Sequence, residues 1–132
     1  MRAFCDTNIL VRHLTGDPPA MAARATRFLA EANELLLVDL IVAEVVYVLE
    51  SFYEVPRPQV AESVRSIIAF GAVTVLDEAI LLRAIEVYEV YGLDFAEAYL
   101  VASAESSGIG AVASFDRSID IDRATTIERI EP

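Results

Sequence analysis

Short apolar runs alternate with longer helical patterns along this sequence, and this alternation constrains the fold more than any other feature. The runs are apolar throughout, as expected for strands of a parallel sheet that is covered on both faces. The pattern predicts an α/β fold, a three-layer α/β/α sandwich around a central, mainly parallel sheet of four to five strands. The predicted strands are residues 2–5, 34–38, 72–76, 109–114 and 125–130, and the predicted helices are 7–16, 20–33, 39–53, 59–71, 77–92 and 94–108.

The length of the chain indicates a single domain over residues 1–132. No apolar run reaches the ~18 residues that a membrane span needs. The N-terminal stretch does not have the layout of a signal peptide, because Asp6 and Asn8 interrupt it. We therefore expect a cytoplasmic protein.

Charge and rare residues exclude several classes of function. The net charge is −11, and all ten basic residues are arginine. Such a chain does not bind nucleic acid by broad electrostatic attraction, and would need a cation, a local arginine patch or a basic partner. Cys5 and His13 are the only residues of their kinds, so a disulfide within the chain and a Cys/His zinc site are excluded.

Two aspartates lie close to the carboxyl ends of predicted strands. Asp6 ends the first strand, and Asp116 comes shortly after the fourth. Functional groups of open parallel sheets gather beyond the carboxyl ends of the strands. Each residue could also be a helix cap or a turn residue, which is the commoner role of aspartate at such points.

Glu44 is the one charged residue between Leu40 and Leu49, in a helix that is apolar on every side and is capped by Asp39. Such a helix is expected to be buried. A buried carboxylate must be neutralised, paired or bound to a metal ion. The alternative is that Glu44 lies on one wet edge of the helix or pairs with an arginine.

Asp94 and Glu97 stand three residues apart at the start of the last predicted helix. This spacing matches a capping box, with Asp94 as the N-cap and Glu97 as its partner. It also places both acids on one face of the first turn, where the helix dipole stabilises negative charge. The two roles are compatible.

These acids in one pocket would repel each other, and no lysine is available to neutralise them. Ligands that are all oxygen favour a hard ion, Mg²⁺ or Mn²⁺. Such an ion activates water and neutralises charge on a phosphodiester. The pattern therefore predicts a metal-assisted reaction on a phosphate substrate.

The stretches "DTNILVRHLTGDPPAMAARA", "GLDFAEAYLVASAE" and "SFDR", with Glu44 inside an apolar helix, resemble the PIN-domain ribonucleases. The resemblance extends in particular to the VapC-like toxins of toxin–antitoxin pairs. It implies an endoribonuclease that depends on Mg²⁺, with Mn²⁺ as a substitute, and that hydrolyses RNA phosphodiester bonds by in-line attack of water.

The resemblance also implies roles for individual residues. This sequence departs from the family's pattern at Glu97, where aspartate is usual, so the third acid is either Asp94 or Glu97. The implied catalytic residues are Asp6, Glu44, Glu97 and Asp116, and the implied metal ligands are Asp6, Asp94, Glu97 and Asp116. Residues implied to support the acids are Thr7, Asn8 and Ser114. Candidate RNA contacts are Arg12, Arg24, Arg27 and Arg117, which could equally be solvated charges on helix faces.

VapC-like toxins imply a cognate antitoxin and a homodimer. The segment of residues 45–56 contains more apolar and aromatic residues than one buried face requires, among them Tyr47, Phe52, Tyr53 and Val55. They could line a groove for a partner helix. Membership of the core is the other interpretation, and the sequence favours it slightly.

Two rival functions remain. A phosphoryl-transfer domain of similar layering also places an aspartate at the end of strand one, but it usually requires a lysine, which this chain does not have. A catalytically silent module that keeps the fold for binding is supported by Glu97 alone.

Overall fold

The computed structural model describes residues 2–120 and 127–132. The chain divides into two compact units, Met1–Leu76 and Asp77–Pro132. A single domain over residues 1–132 stays a prediction. Within the described ranges, no helix is both long enough and apolar enough to span a bilayer.

The N-terminal unit is a three-stranded parallel sheet with four helices. The central strand, β2 (Glu34–Leu37), pairs with β1 (Arg2–Phe4) on one side and β3 (Val73–Val75) on the other, with Ala3 opposite Leu35 and Leu36 opposite Thr74. Parallel pairing requires crossover connections, which the helices supply. The elements in chain order are β1 (Arg2–Phe4), α1 (Thr7–Thr15), α2 (Pro19–Glu31), β2 (Glu34–Leu37), α3 (Asp39–Ser51), α4 (Arg57–Ile68) and β3 (Val73–Val75).

Helix α1 begins and ends where the sequence predicts. Asp6 occupies its N-cap with extended backbone, and Gly16 ends it in the left-handed conformation at φ 70°. Glycine adopts this conformation without the steric cost of a Cβ atom. Leu10 and Val11 on the inner face of α1 are buried, so the start of the helix is fixed both by its cap and by its packing.

Helix α3 differs from the prediction in two ways. Val42, Val45 and Leu49 bury one face, whereas Glu44 is exposed on another. The expectation that the whole helix is buried is wrong, because only one stripe of its apolar residues meets the core. Asp39 is the first helical residue and not the cap; Val38 stands at the N-cap and supplies no side-chain hydrogen bond.

The C-terminal unit consists of two helices, a 3₁₀ turn and two parallel strands. Strand β4 pairs with β5, and Val112 lies opposite Arg129. The guanidinium of Arg83 joins the helices by donating to both carboxylate oxygens of Glu105, at 2.9 and 3.1 Å. The elements are α5 (Glu78–Tyr91), α6 (Phe95–Ser107), β4 (Ala111–Ala113), a 3₁₀ turn (Arg117–Ile119) and β5 (Glu128–Ile130).

The five predicted strands and six predicted helices are all present, and every strand pair is parallel. The described strands pair as a sheet of three and a sheet of two. Two residues of the predicted fifth strand, Thr125 and Thr126, lie outside the described residues.

Candidate functional site

Asp6 is presented by the junction of β1 and α1. Its Oδ1 accepts a hydrogen bond of 2.8 Å from the backbone N–H of Thr7, and the side chain is exposed. No arginine within residues 2–120 and 127–132 forms an ion pair with it. The carboxylate is therefore held by the helix start and remains available to a ligand.

The residues next to Asp6 differ in how far their side chains are exposed. Thr7 is buried, and its Oγ1 is a buried oxygen that has no hydrogen-bond partner in the described part of the chain. Asn8 is exposed. Burial, and then the charge of Asp6, raise the pKa of Cys5 to about 11. The Cys5 thiol is thus protonated at neutral pH and is not a candidate ligand.

Glu44 projects from the exposed face of α3 and makes no ion pair with an arginine that the structure describes. The argument that burial forces it to bind a metal ion is therefore wrong. An exposed carboxylate keeps its hydration at no cost, so Glu44 is available to a ligand but is not driven towards one.

In the C-terminal unit the first turn of α6 brings acids together. Asp94 occupies the N-cap position of α6 but makes no side-chain cap hydrogen bond, so the predicted capping box is not formed. Instead, the Glu97 carboxylate interacts with its own backbone N–H and with the carboxyl group of Asp116. The same turn therefore directs the Glu97 side chain towards a second acid.

Glu97 and Asp116 form a close carboxyl pair. The Oε2 atom of Glu97 is buried, and no N–H or O–H group of the described residues donates to it. Burial raises the pKa of Glu97, and the charges of Asp94 and Asp116 act in the same direction. Two adjacent carboxyl groups are stabilised when they share a proton or a cation.

Asp116 is held by its neighbours in an Asx turn. Its Oδ1 accepts hydrogen bonds from the hydroxyl and the backbone N–H of Ser118, at 2.7 and 2.9 Å. These bonds lower the pKa of Asp116. The backbone N–H of Asp116 donates to the hydroxyl of Ser114 at 2.9 Å. The pair therefore combines an acid whose pKa is lowered by hydrogen bonds with an acid whose pKa is raised by burial.

Two residues of this cluster were not predicted from the sequence. Ser118 is detectable, because an aspartate followed two residues later by serine is typical of an Asx turn. Arg129 donates to the carbonyl oxygen of Ser114 at 2.8 Å and to Oδ1 of Asp120 at 2.9 Å, and its charge also lowers the pKa of Asp116. Arg129 comes close only through the pairing of β5 with β4, for which the sequence has no local signal.

The predicted RNA-contacting arginines lie in both units. Arg12, Arg24 and Arg27 line one cavity between α1 and α2. Arg117 is exposed in the 3₁₀ turn beside Asp116.

The donor chemistry of the acids suits a hard cation. Residues 2–120 and 127–132 contain no group of three Asp, Glu, His or Cys side chains already gathered to hold a metal ion. The carboxyl pair with its buried, donorless Oε2 nevertheless offers oxygen atoms that a divalent ion would satisfy. The arrangement can therefore accept a cation through carboxylate oxygens.

The comparisons with known proteins identify the family. The model of the PIN domain matches residues 3–124, which is 122 of the 132 residues and covers most of both units. Comparison with curated proteins finds no match. The predicted fold class, an α/β/α fold of the PIN type, is confirmed, and PIN domains are generally nucleases that use divalent metal ions. The extent of this match leads to one conclusion: the chain belongs to the PIN domain family.

Proposed function

We propose that this PIN domain is a cytoplasmic Mg²⁺-dependent endoribonuclease and the toxin of a toxin–antitoxin pair. The observation that carries the proposal is the pair of Glu97 and Asp116, whose carboxyl groups lie together with one buried oxygen that no donor satisfies. A nuclease fold with such a pair has a place for the divalent ion that phosphodiester hydrolysis requires.

The residues that would hold the ion are Asp6, Asp94, Glu97 and Asp116. Asp116 is the ligand most ready to bind, because Ser118 keeps it ionised. Glu97, whose pKa is raised by burial, would bind the ion in its carboxylate form. Bound Mg²⁺, or Mn²⁺ in its place, would neutralise the charge of the phosphodiester and lower the pKa of water.

Two further residues would support the reaction: Thr7 would orient the Asp6 carboxylate, and Glu44 would accept a proton. The N–H of Thr7 fixes one oxygen of Asp6, which leaves the rest of that carboxylate to its ligand. Glu44 is exposed and without an arginine partner among the described residues, so it is free to accept a proton from the attacking water. In-line hydrolysis needs such a base, and the sequence contains one histidine, His13, whose Nδ1 atom lies 2.8 Å from the Thr26 hydroxyl.

The test is cleavage of structured RNA by the purified protein. We expect cleavage of a transfer RNA or a ribosomal RNA fragment with Mg²⁺ or Mn²⁺, and none in excess EDTA. Gel analysis of end-labelled RNA measures both. Equal cleavage with and without EDTA would contradict the proposed metal dependence.

A protein partner is part of the proposal. Tyr47 of α3 and Phe52 at its C-cap are 68% and 75% exposed, which excludes the interpretation that they belong to the core. Tyr53 and Val55 are half-buried. Exposed aromatic residues of this size favour contact with an antitoxin or with a second copy of the chain. The product of a reading frame just upstream should suppress RNA cleavage, and light scattering should give twice the 14.4 kDa mass.

The alternative is a catalytically silent binding module, and the residue that favours it is Glu97. A silent module would neither cleave RNA nor gain thermal stability from Mn²⁺. A phosphoryl-transfer domain is not supported, since the chain has no lysine to neutralise a phosphoryl group.

A further inference from the structure

A cavity of about 460 Å³ lies between α1 and α2 in the N-terminal unit. It falls within the range of ~300–1,000 Å³ that is typical of small-molecule sites, which is enough for one nucleotide. Arg12 of α1 and Arg24 and Arg27 of α2 line it. Three of the ten arginines of a strongly acidic chain thus meet in one place.

Of the arginines that the structure describes, only these three line the cavity, and like Arg117 they have no carboxylate partner among the described residues. Arg2, Arg65, Arg83 and Arg129 each form an ion pair with a carboxylate. The side chains of Arg12, Arg24 and Arg27 form neither an ion pair nor a hydrogen bond with any residue the structure describes. Guanidinium groups that line one cleft repel each other unless an anion lies between them.

The remaining lining of the cavity indicates which anion would fit. Ile9, Met21 and the half-buried Phe28 supply apolar surface beside the arginines. Nucleotide bases stack on aromatic rings and on guanidinium planes, and the arginine fork matches the oxygens of a phosphodiester. A single-stranded nucleotide presents both groups together.

One carboxylate in the lining of the cavity would repel the phosphate of such a ligand. Glu31, in the last turn of α2, also lines the cavity. It forms no ion pair with the three arginines, so the positive charge of the cleft is not neutralised by direct contact. The cleft therefore keeps an excess of positive charge in a chain that otherwise repels RNA.

We propose that the cavity between α1 and α2 binds one single-stranded nucleotide of the RNA substrate, through Arg12, Arg24 and Arg27 on the phosphate and through Phe28 on the base. This inference rests on the proposed function, because it takes RNA as the substrate. It assigns the cavity to substrate binding, a role that does not involve the carboxyl groups of Glu97 and Asp116.

The experiment measures binding without catalysis. A fluorescently labelled single-stranded hexanucleotide RNA is titrated with the intact protein in EDTA, and fluorescence anisotropy gives Kd. The double variant R24Q/R27Q removes two exposed charges from the cleft. The matched control R2Q/R65Q removes the same charge from arginines that do not line it.

We expect R24Q/R27Q to raise Kd at least about tenfold and the control to raise it less than about twofold. The slope of log Kd against log salt should fall by about 0.7 for each phosphate that the variant no longer neutralises. An abasic strand of the same length should bind about tenfold more weakly, because the stacking of one base on an aromatic side chain strengthens binding by about that factor.

Three outcomes would overturn the proposal. Equal weakening of binding in both double variants would mean that only net charge matters. Displacement of the RNA by a glutamate hexapeptide as effective as unlabelled RNA would identify the cleft as a site for an acidic peptide. If R24Q/R27Q cleaves RNA with Mg²⁺ at the same KM as the unmodified protein, the proposed nucleotide binding in the cavity is refuted and the proposed nuclease function is not. If no form of the protein cleaves RNA, the proposed nuclease function alone is refuted.

Discussion

Asp6→Asn should lower the rate of RNA cleavage at least about 100-fold and leave the fold unchanged. Even residues that only support a metal ligand typically alter affinity or activity by ~10–100-fold when they are changed, and a direct ligand should matter more. The amide keeps the size of the side chain and can still accept the hydrogen bond from the N–H of Thr7. It loses the negative charge that holds a divalent ion. Cleavage kinetics with Mg²⁺ measure the effect, and thermal unfolding measures the fold.

Asp77→Asn is the matched control. Asp77 is also an exposed aspartate at a helix N-cap, and its Oδ1 accepts a hydrogen bond of 3.1 Å from the N–H of Ile80. Asparagine caps helices about as well as aspartate, so both variants should keep their Tm within a few degrees. Only the Asp6 variant should lose cleavage. Undiminished cleavage by Asp6→Asn would refute the assignment of Asp6 to the metal ion.

Most of the fold follows from local signals in the sequence. Gly92 and Gly108 end α5 and α6 in the left-handed conformation, as predicted. The apolar strands indicate parallel pairing, and all the described pairs are parallel. Hydrophobic periodicity and the glycine and proline residues that end helices and strands are local features, so a single sequence is enough to identify them.

The errors concern features that depend on packing. The sequence from Leu40 to Leu49 is apolar on all sides, but only the stripe through Val42, Val45 and Leu49 is buried. Neither the exposure of Glu44 nor that of Tyr47 follows from composition, because the number of faces that a helix buries is set by its neighbours. Local propensity cannot state how many neighbours there are.

The sequence predicts candidate acids for the site but not the interactions between them. The spacing of Asp94 and Glu97 indicates a capping box, yet Glu97 interacts with Asp116 across the fold of the C-terminal unit. Asp116 lies far from Glu97 in the sequence, and only the path from α6 through β4 brings them together. Local spacing identifies candidate acids, whereas their pairing requires the structure.

Glu97→Gln should reduce RNA cleavage about 100-fold or more, and should also remove the gain in Tm that Mg²⁺ or Mn²⁺ gives the unmodified protein. Without a divalent ion the same variant should be more stable by a few degrees at neutral pH. The reason is that the amide removes a partly buried carboxylate that Asp94 and Asp116 repel. A merely structural glutamate would not give effects of opposite sign in the two conditions.

The pH dependence of stability gives an independent check on the metal-free protein. The pKa of Glu97 is raised in the folded state, so the folded protein binds more protons than the unfolded chain above the usual glutamate range. Stability should therefore fall as pH rises from that range through the raised pKa. The lowered pKa of Asp116 acts with the opposite sign, and its contribution is lost as pH falls below the usual aspartate range. Thermal unfolding in EDTA across pH should show the first dependence in the unmodified protein and not in Glu97→Gln.

Glu97→Asp separates the role of the charge from that of chain length. Aspartate is the residue that the resemblance to the PIN-domain ribonucleases implies at this position, and it keeps the charge with one methylene less. We expect it to retain cleavage within about tenfold and to keep the stabilisation by Mn²⁺. Glu78→Gln is the control, since Glu78 is likewise an acid in the first turn of a helix, but in α5. If Glu97→Gln cleaves RNA as fast as Glu78→Gln does, Asp94 and not Glu97 is the third acid of the site. Asp94 is then the remaining candidate, because no other acid lies in the first turn of α6 or at its cap.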